Sequence, residues 1–302
     1  MVEIFQKSGK KFIYIIILIF ILTFILLLSL FKERKQEKAF FQTQESTQRK
    51  NFLKNQIDSE REKVLKEKKE RGNRLALVAE AENCNLGKVK QLLSEGVEIN
   101  CYNDFRMTPL HKSAEKGCLE VAEYLLENGA EVDSRDFVFQ TPLFLAVEKN
   151  HLEMAKLLIK NGADVNTNDS SLYRPLHIAA QKNYEITKLL LESGADPNNT
   201  NQHGYAPIHY AALNGKNDIV ELLILHHADV NLRDEKDYTA LMAVASQEIL
   251  KGSDLISTTK LLLEKGADPS IVNKDGKTAY DYAKRIHPEI AELLKVDVSK
   301  EN

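Results

Sequence analysis

"TPLFLAVEKNHLEMAKLLIKNGADVN", residues 141–166, has the signals of two short helices in one line. Thr141 suits a helix N-cap, where its hydroxyl accepts a free backbone N–H. Pro142 then takes the first helical position, where a missing N–H costs nothing. Gly162 falls where the second helix must end in a left-handed residue. The stretch recurs. "TPLHKSAEKGCLEVAEYLLENGAEVD" begins at Thr108, 33 residues earlier. "RPLHIAAQKNYEITKLLLESGADPN" follows at Arg174, "APIHYAALNGKNDIVELLILHHADVN" at Ala206, "TALMAVASQ" at Thr239 and "TAYDYAKR" at Thr278. Upstream, "LALVAEAENCNLGKVKQLLSEGVEIN" from Leu75 fits the same frame with a degenerate opening.

A unit of this length around T-P-L-H-x-A-A and L-L-x-x-G-A-D-V-N resembles the ankyrin repeat family. The resemblance covers residues 73–297 and implies an all-α repeat solenoid: about six helix-turn-helix units with β-turn fingers, plus a C-terminal cap. The physics agrees. Leu92–Leu93, Leu125–Leu126, Leu189–Leu190 and Leu261–Leu262 give the second helices a buried stripe, and Ala179–Ala180 and Ala211–Ala212 allow close packing. Gly96, Gly129, Gly194 and Gly266 repeat the stop signal of Gly162. Asn103, Asp136, Asp169, Asn201, Asp234 and Asn273 each lie five residues before the Thr position, where an Asx side chain closes a turn onto its own backbone. One unit cannot bury its apolar face alone, so neighbours stack.

Departures from the frame are informative. Pro109 to Gly129 and Pro142 to Gly162 span 20 residues, but Pro175 to Gly194 spans 19, a loss near Asn183. Ala240 to Gly266 spans 26, a gain placed as a loop over Gln247–Asp254, between the two helices of that unit. His227 stands in a stop-glycine position. His111, His177 and His209 recur at one place in the unit, which marks them as structural hydrogen-bonding residues. His226–His227 has no third convergent ligand, so no metal site is expected there. No phosphate-binding loop, G-x-S-x-G or H-E-x-x-H occurs. Neither a catalytic residue nor a cofactor or small-molecule substrate is expected. Cys84, Cys101 and Cys118 form no even framework and read as structural thiols or small apolar fillers.

The net charge of −3 conceals a division: +2 over residues 1–31, +5 over 32–72 (13 basic against 8 acidic) and −10 over the rest (25 against 35). An acidic body argues against nucleic acid as the partner. After a basic tail, residues 1–11, the run "FIYIIILIFILTFILLLSLF", residues 12–31, has 20 residues and no charge. At about 30 Å it is long enough to be a transmembrane helix. It exceeds a signal-peptide core and lacks an A-x-A-like cleavage site, so a single-pass, uncleaved anchor is expected. Both flanks are basic, so the positive-inside rule does not choose a side. Residues 32–72 are charged, contain no proline, and read as a helical linker that Gly72 closes. Residues 298–302 form a tail.

The expected function is binding another protein. By the resemblance, turn tips and first-helix faces line a groove and select the partner. Apolar and basic residues stand on tips where glycine is usual: Phe105, Arg106 and Met107, then Phe137 and Phe139, then Leu172 and Tyr173, with Tyr205 and Tyr238 following in the same column. These are the candidate partner-binding residues, as large exposed apolar patches mark interaction sites. A rival reading makes the repeats a structural spacer or self-association module at the membrane. It calls for polar tips, or for sustained heptads in the linker.

Overall fold

The computed structural model describes residues 45–247 and 252–295. The chain divides into two compact units, Met1–Lys68 and Lys69–Asn302. The expected membrane span at residues 12–31 lies outside the described residues, as do the tails at 1–11 and 298–302. Among the described residues, no helix is long and apolar enough to cross a membrane.

Helix α1, Glu45–Glu82, spans the boundary between the units. In the first unit its Ile57, Val64 and Leu65 are exposed. It does not stop at Gly72, which corrects the expectation that this glycine closes the helix. A single glycine lowers helix stability by about 1 kcal/mol but removes no hydrogen bond, and beyond it Leu77, Val78 and Ala81 are buried among the repeats. The last turns of α1 therefore serve as the first helix of the first repeat.

The second unit is a succession of helix pairs. Helix α2 (Leu86–Ser94) completes the first pair. Then come α3 (Pro109–Lys116) with α4 (Leu119–Glu127), and α5 (Pro142–Glu148) with α6 (Leu152–Lys160). Next are α7 (Pro175–Ala179) with α8 (Tyr184–Glu192), and α9 (Pro207–Leu213) with α10 (Asn217–Leu225). The last are α11 (Ala240–Ala245) with α12 (Gly252–Glu264), and α13 (Ala279–Ile286) with α14 (Pro288–Leu293). No β-strand occurs among the described residues. From α3 onward each first helix packs on the next first helix, and each second helix packs on the next second, so the core is one continuous seam through Leu110, Leu125, Leu143, Leu158, Leu176, Leu190, Ile208 and Leu223. Burying one such side chain contributes roughly 1.5–3 kcal/mol.

The deviations resolve locally. First helices end in a left-handed residue at Gly117, Asn150 and Gly215 (φ 75°, 66° and 62°). Gly117 must also lack a side chain, because the His151 ring lies 2.9 Å from where a Cβ would sit. The fourth unit has no left-handed residue between α7 and α8, which identifies what its missing residue did. Of the loop expected over Gln247–Asp254, residues 248–251 lie outside the described residues, and its last three residues are helical. Gly252, Ser253 and Asp254 already belong to α12, which has 13 residues against 9 in α10. The cysteine reading needs a larger correction: Cys84 and Cys118 are joined in a disulfide, and Cys101 alone is free. Spacing gave no hint of this, because the pair meets only when two units stack.

Candidate functional site

Six fingers connect the helix pairs, and each closes on its Asx residue. Asn103 Oδ1 accepts the N–H groups of Phe105 and Met107, and Asp136 Oδ1 those of Val138 and Gln140. Asp169, Asn201, Asp234 and Asn273 repeat the pattern. Neighbouring fingers are then joined by one backbone hydrogen bond each. Phe137 N–H donates to Phe105 O at 3.1 Å, Ser170 to Val138 O at 2.8 Å, Gln202 to Ser171 O at 3.0 Å and Glu235 to His203 O at 3.2 Å.

The histidines tie fingers to helices. His111 Nδ1 accepts the N–H of Thr108 (3.1 Å), and its Nε2–H donates to Gln140 O of the next unit (3.1 Å). His177 and His209 do the same with Tyr205 O and Tyr238 O. These bonds require the neutral ring. All three rings are fully buried, and burial pushes His111 and His177 down to about 4 and lowers His209 as well. In the last unit Asp281 takes the histidine's place and accepts the N–H of Thr278.

The nine candidate residues divide into two sets. Phe105 (61%), Phe137 (61%), Phe139 (52%) and Leu172 (44%) are exposed at the tips, as is Arg106. Phe139 and Leu172 occupy left-handed backbone, φ 64° and 59°, as does Arg106 at 58°. The equivalent residue in a later finger is Gly204, where a Cβ would fall 2.5 Å from the backbone N of Glu235. A side chain is excluded there and open to solvent at Phe139. Tyr173, Tyr205 and Tyr238 turn inward instead and are half-buried, as is Met107. The Tyr173 hydroxyl bonds that of Tyr210, and Tyr210 also accepts from Asn201 Nδ2 at 2.8 Å. Tyr205 packs on Tyr210 with ring centres 5.8 Å apart, and Tyr238 on Tyr282 at 5.2 Å. The structure thus keeps the phenylalanines, Leu172 and Arg106 at the surface, and gives the tyrosines a role inside the stack.

Val138 and Tyr102, also exposed, join the tip surface though neither is among the nine candidates, and Tyr102 was missed in the sequence, as were the inner rings Tyr210 and Tyr282. Their signal was present: both inner tyrosines lie four residues after the Thr position of their units. The patch is flanked by charge. The Arg106 guanidinium lies over the Tyr102 ring at 6.0 Å, and Asp104 pairs with Arg71 at 3.2 Å. Both members of that ion pair are exposed, so it adds little stability.

The family model for ankyrin repeats in three copies matches residues 48–136, 75–169, 137–201, 171–234 and 208–302, well over half of the chain. Ankyrin repeat and SOCS box protein 6 of Mus musculus is 37% identical over 71 residues, 24% of this chain and 16% of that protein. The match thus spans about a sixth of that relative's length. Among solved structures, the ankyrin repeat domain of Bcl-3, titled a unique member of the IkappaB protein family, is similar with a TM-score of 0.63. Its identity is 26%, over 73% of this chain and 97% of that one.

Proposed function

The chain belongs to the ankyrin repeat family, and from that premise we propose that it is a membrane-anchored protein that binds another protein through its finger tips. Stacks of this family generally mediate protein–protein interaction and are typically non-enzymatic. The reading rests on Phe105, Phe137 and Phe139, three exposed rings on two hydrogen-bonded fingers. Exposed rings contribute little to the stack, and a phenylalanine in left-handed backbone costs about 1–2 kcal/mol. Aromatic side chains with an adjacent arginine are the residue types that anchor interfaces. Apolar tips of this kind speak against the spacer reading, which calls for polar ones. The anchor is supported by the 20-residue uncharged run at 12–31.

The test places a photocrosslinking phenylalanine analogue at Phe105 or Phe137 of the full-length, membrane-held chain. The expected result is an intermolecular protein adduct from either finger position. The same analogue at Tyr210, inside the stack, should give only intramolecular products. Failure of both finger positions to exceed the Tyr210 background would reject the reading.

A further inference from the structure

One departure from the repeat pattern, Cys84, meets a cysteine of the next repeat, Cys118. The left-handed residue that ends a first helix is Gly117, Asn150 or Gly215 elsewhere, but in the first unit it is Cys84, at φ 56°. Cysteine gains nothing from that backbone, which favours Gly and Asn. The next position starts the second helix. Cys118 fills it in the second repeat and, like His151 and Lys216 in later repeats, makes no side-chain cap bond, whereas Asn85 and Asn183 do. Neither cysteine serves its own turn, and each serves the other: their Cα atoms are 5.1 Å apart and their sulfurs are bonded, 34 residues apart in sequence. The bond ties the first repeat to the second, both within Lys69–Asn302. Cys118 is buried, but Cys84 is exposed. Cys101, by contrast, is free and buried, and burial pushes its thiol up to about 11.

We infer that this disulfide is a permanent staple and that the repeat domain therefore works in an oxidising compartment, outside the cytosol. A disulfide with one residue open to solvent can be attacked by a small thiolate, which displaces the Cys118 thiolate and leaves a mixed disulfide on Cys84. A second thiolate then releases Cys84 and carries the oxidation away as a small-molecule disulfide. In a glutathione-poised cytosol that sequence empties the bond, and in an oxidising compartment the bond persists. Joined to a span at residues 12–31, this orientation leaves Lys7, Lys10 and Lys11 on the cytosolic face and Lys32, Arg34, Lys35 and Lys38 on the other, an assignment that the charges flanking the run do not make. The inference does not depend on what the fingers bind.

Thiol counting tests it. Cells making the full chain are quenched in acid, and free thiols are tagged in denaturant with a maleimide-polyethylene glycol, with and without prior reduction. We expect one tag before reduction, on Cys101, and three after it. The Cys84→Ser/Cys118→Ser chain should take one tag in both cases, and because tagging is done unfolded, its folding does not affect the count. Three tags without reduction would overturn the inference. So would a bond that forms only after oxidant is added to the cells, since that marks a reducing compartment and a redox-responsive pair.

Discussion

His111, His177 and His209 show how a single residue type sets a property of the stack. Each is neutral and buried when folded, with its affinity for a proton lowered by burial, whereas the unfolded ring takes a proton near pH 6.5. The unfolded chain therefore binds more protons below that pH, and stability falls as pH drops. The full contribution is present above about pH 6.5. It declines towards pH 4 by up to about 1.4 kcal/mol per histidine per pH unit. Urea unfolding between pH 7.5 and 4.5 should show this loss, and a His177→Asn chain should show a shallower slope. His227 is the opposite kind of site: exposed, at φ 70°, with its main-chain O accepting from Asn198 Nδ2 at 2.9 Å. His227→Gly keeps that bond and removes the backbone strain, so urea melts should show a gain of about 0.5–1 kcal/mol. The histidine roles were legible because a 33-residue recurrence is evidence of structure. Which way Tyr173, Tyr205 and Tyr238 turn was not. The answer depends on Tyr210 on α9 and Tyr282 on α13, which Tyr173 and Tyr238 meet only when repeats stack.

At the scale of elements, the fingers were more legible than the boundaries. All six Asx residues close their turns as their spacing predicts, because the bond is local and needs only a short side chain at a fixed offset. Asn201 adds a second link through its Nδ2 to Tyr210. Asn201→Ala should therefore cost about 1 kcal/mol in chemical unfolding, by leaving the partly buried N–H groups of His203 and Tyr205 without their acceptor. Asn201→Asp keeps the acceptor and loses only the donor, so it should cost less. Equal losses from both variants would show that the Oδ1 acceptor contributes nothing and that the Nδ2 link to Tyr210 carries the whole loss. Gly72 misled because its effect is only energetic: tertiary burial of Leu77 and Ala81 outweighs about 1 kcal/mol of propensity. The disulfide was invisible for the same reason as the tyrosine network. Cys84 and Cys118 become neighbours only after adjacent units pack.

For the whole molecule, the stack follows from repetition: every unit presents the same seam, and the seam closes only against another unit. What repetition does not determine is the tip surface, where this chain departs from its own pattern with Phe105, Phe137 and Phe139. The central claim is that these rings are held out for a partner, while the tyrosines beside them hold the stack together. The most direct measurement is the thermal unfolding midpoint of the Phe137→Ser/Phe139→Gly chain, taken alongside its yield of the wild-type crosslinked adduct from an analogue at Phe105. An exposed ring exchanged for serine changes stability by no more than about 0.5 kcal/mol, and glycine at position 139 relieves left-handed strain. The account predicts a midpoint equal to or above that of the wild type, with the adduct lost. A midpoint several degrees lower with the adduct retained would contradict it, and would make the phenylalanines part of the stack.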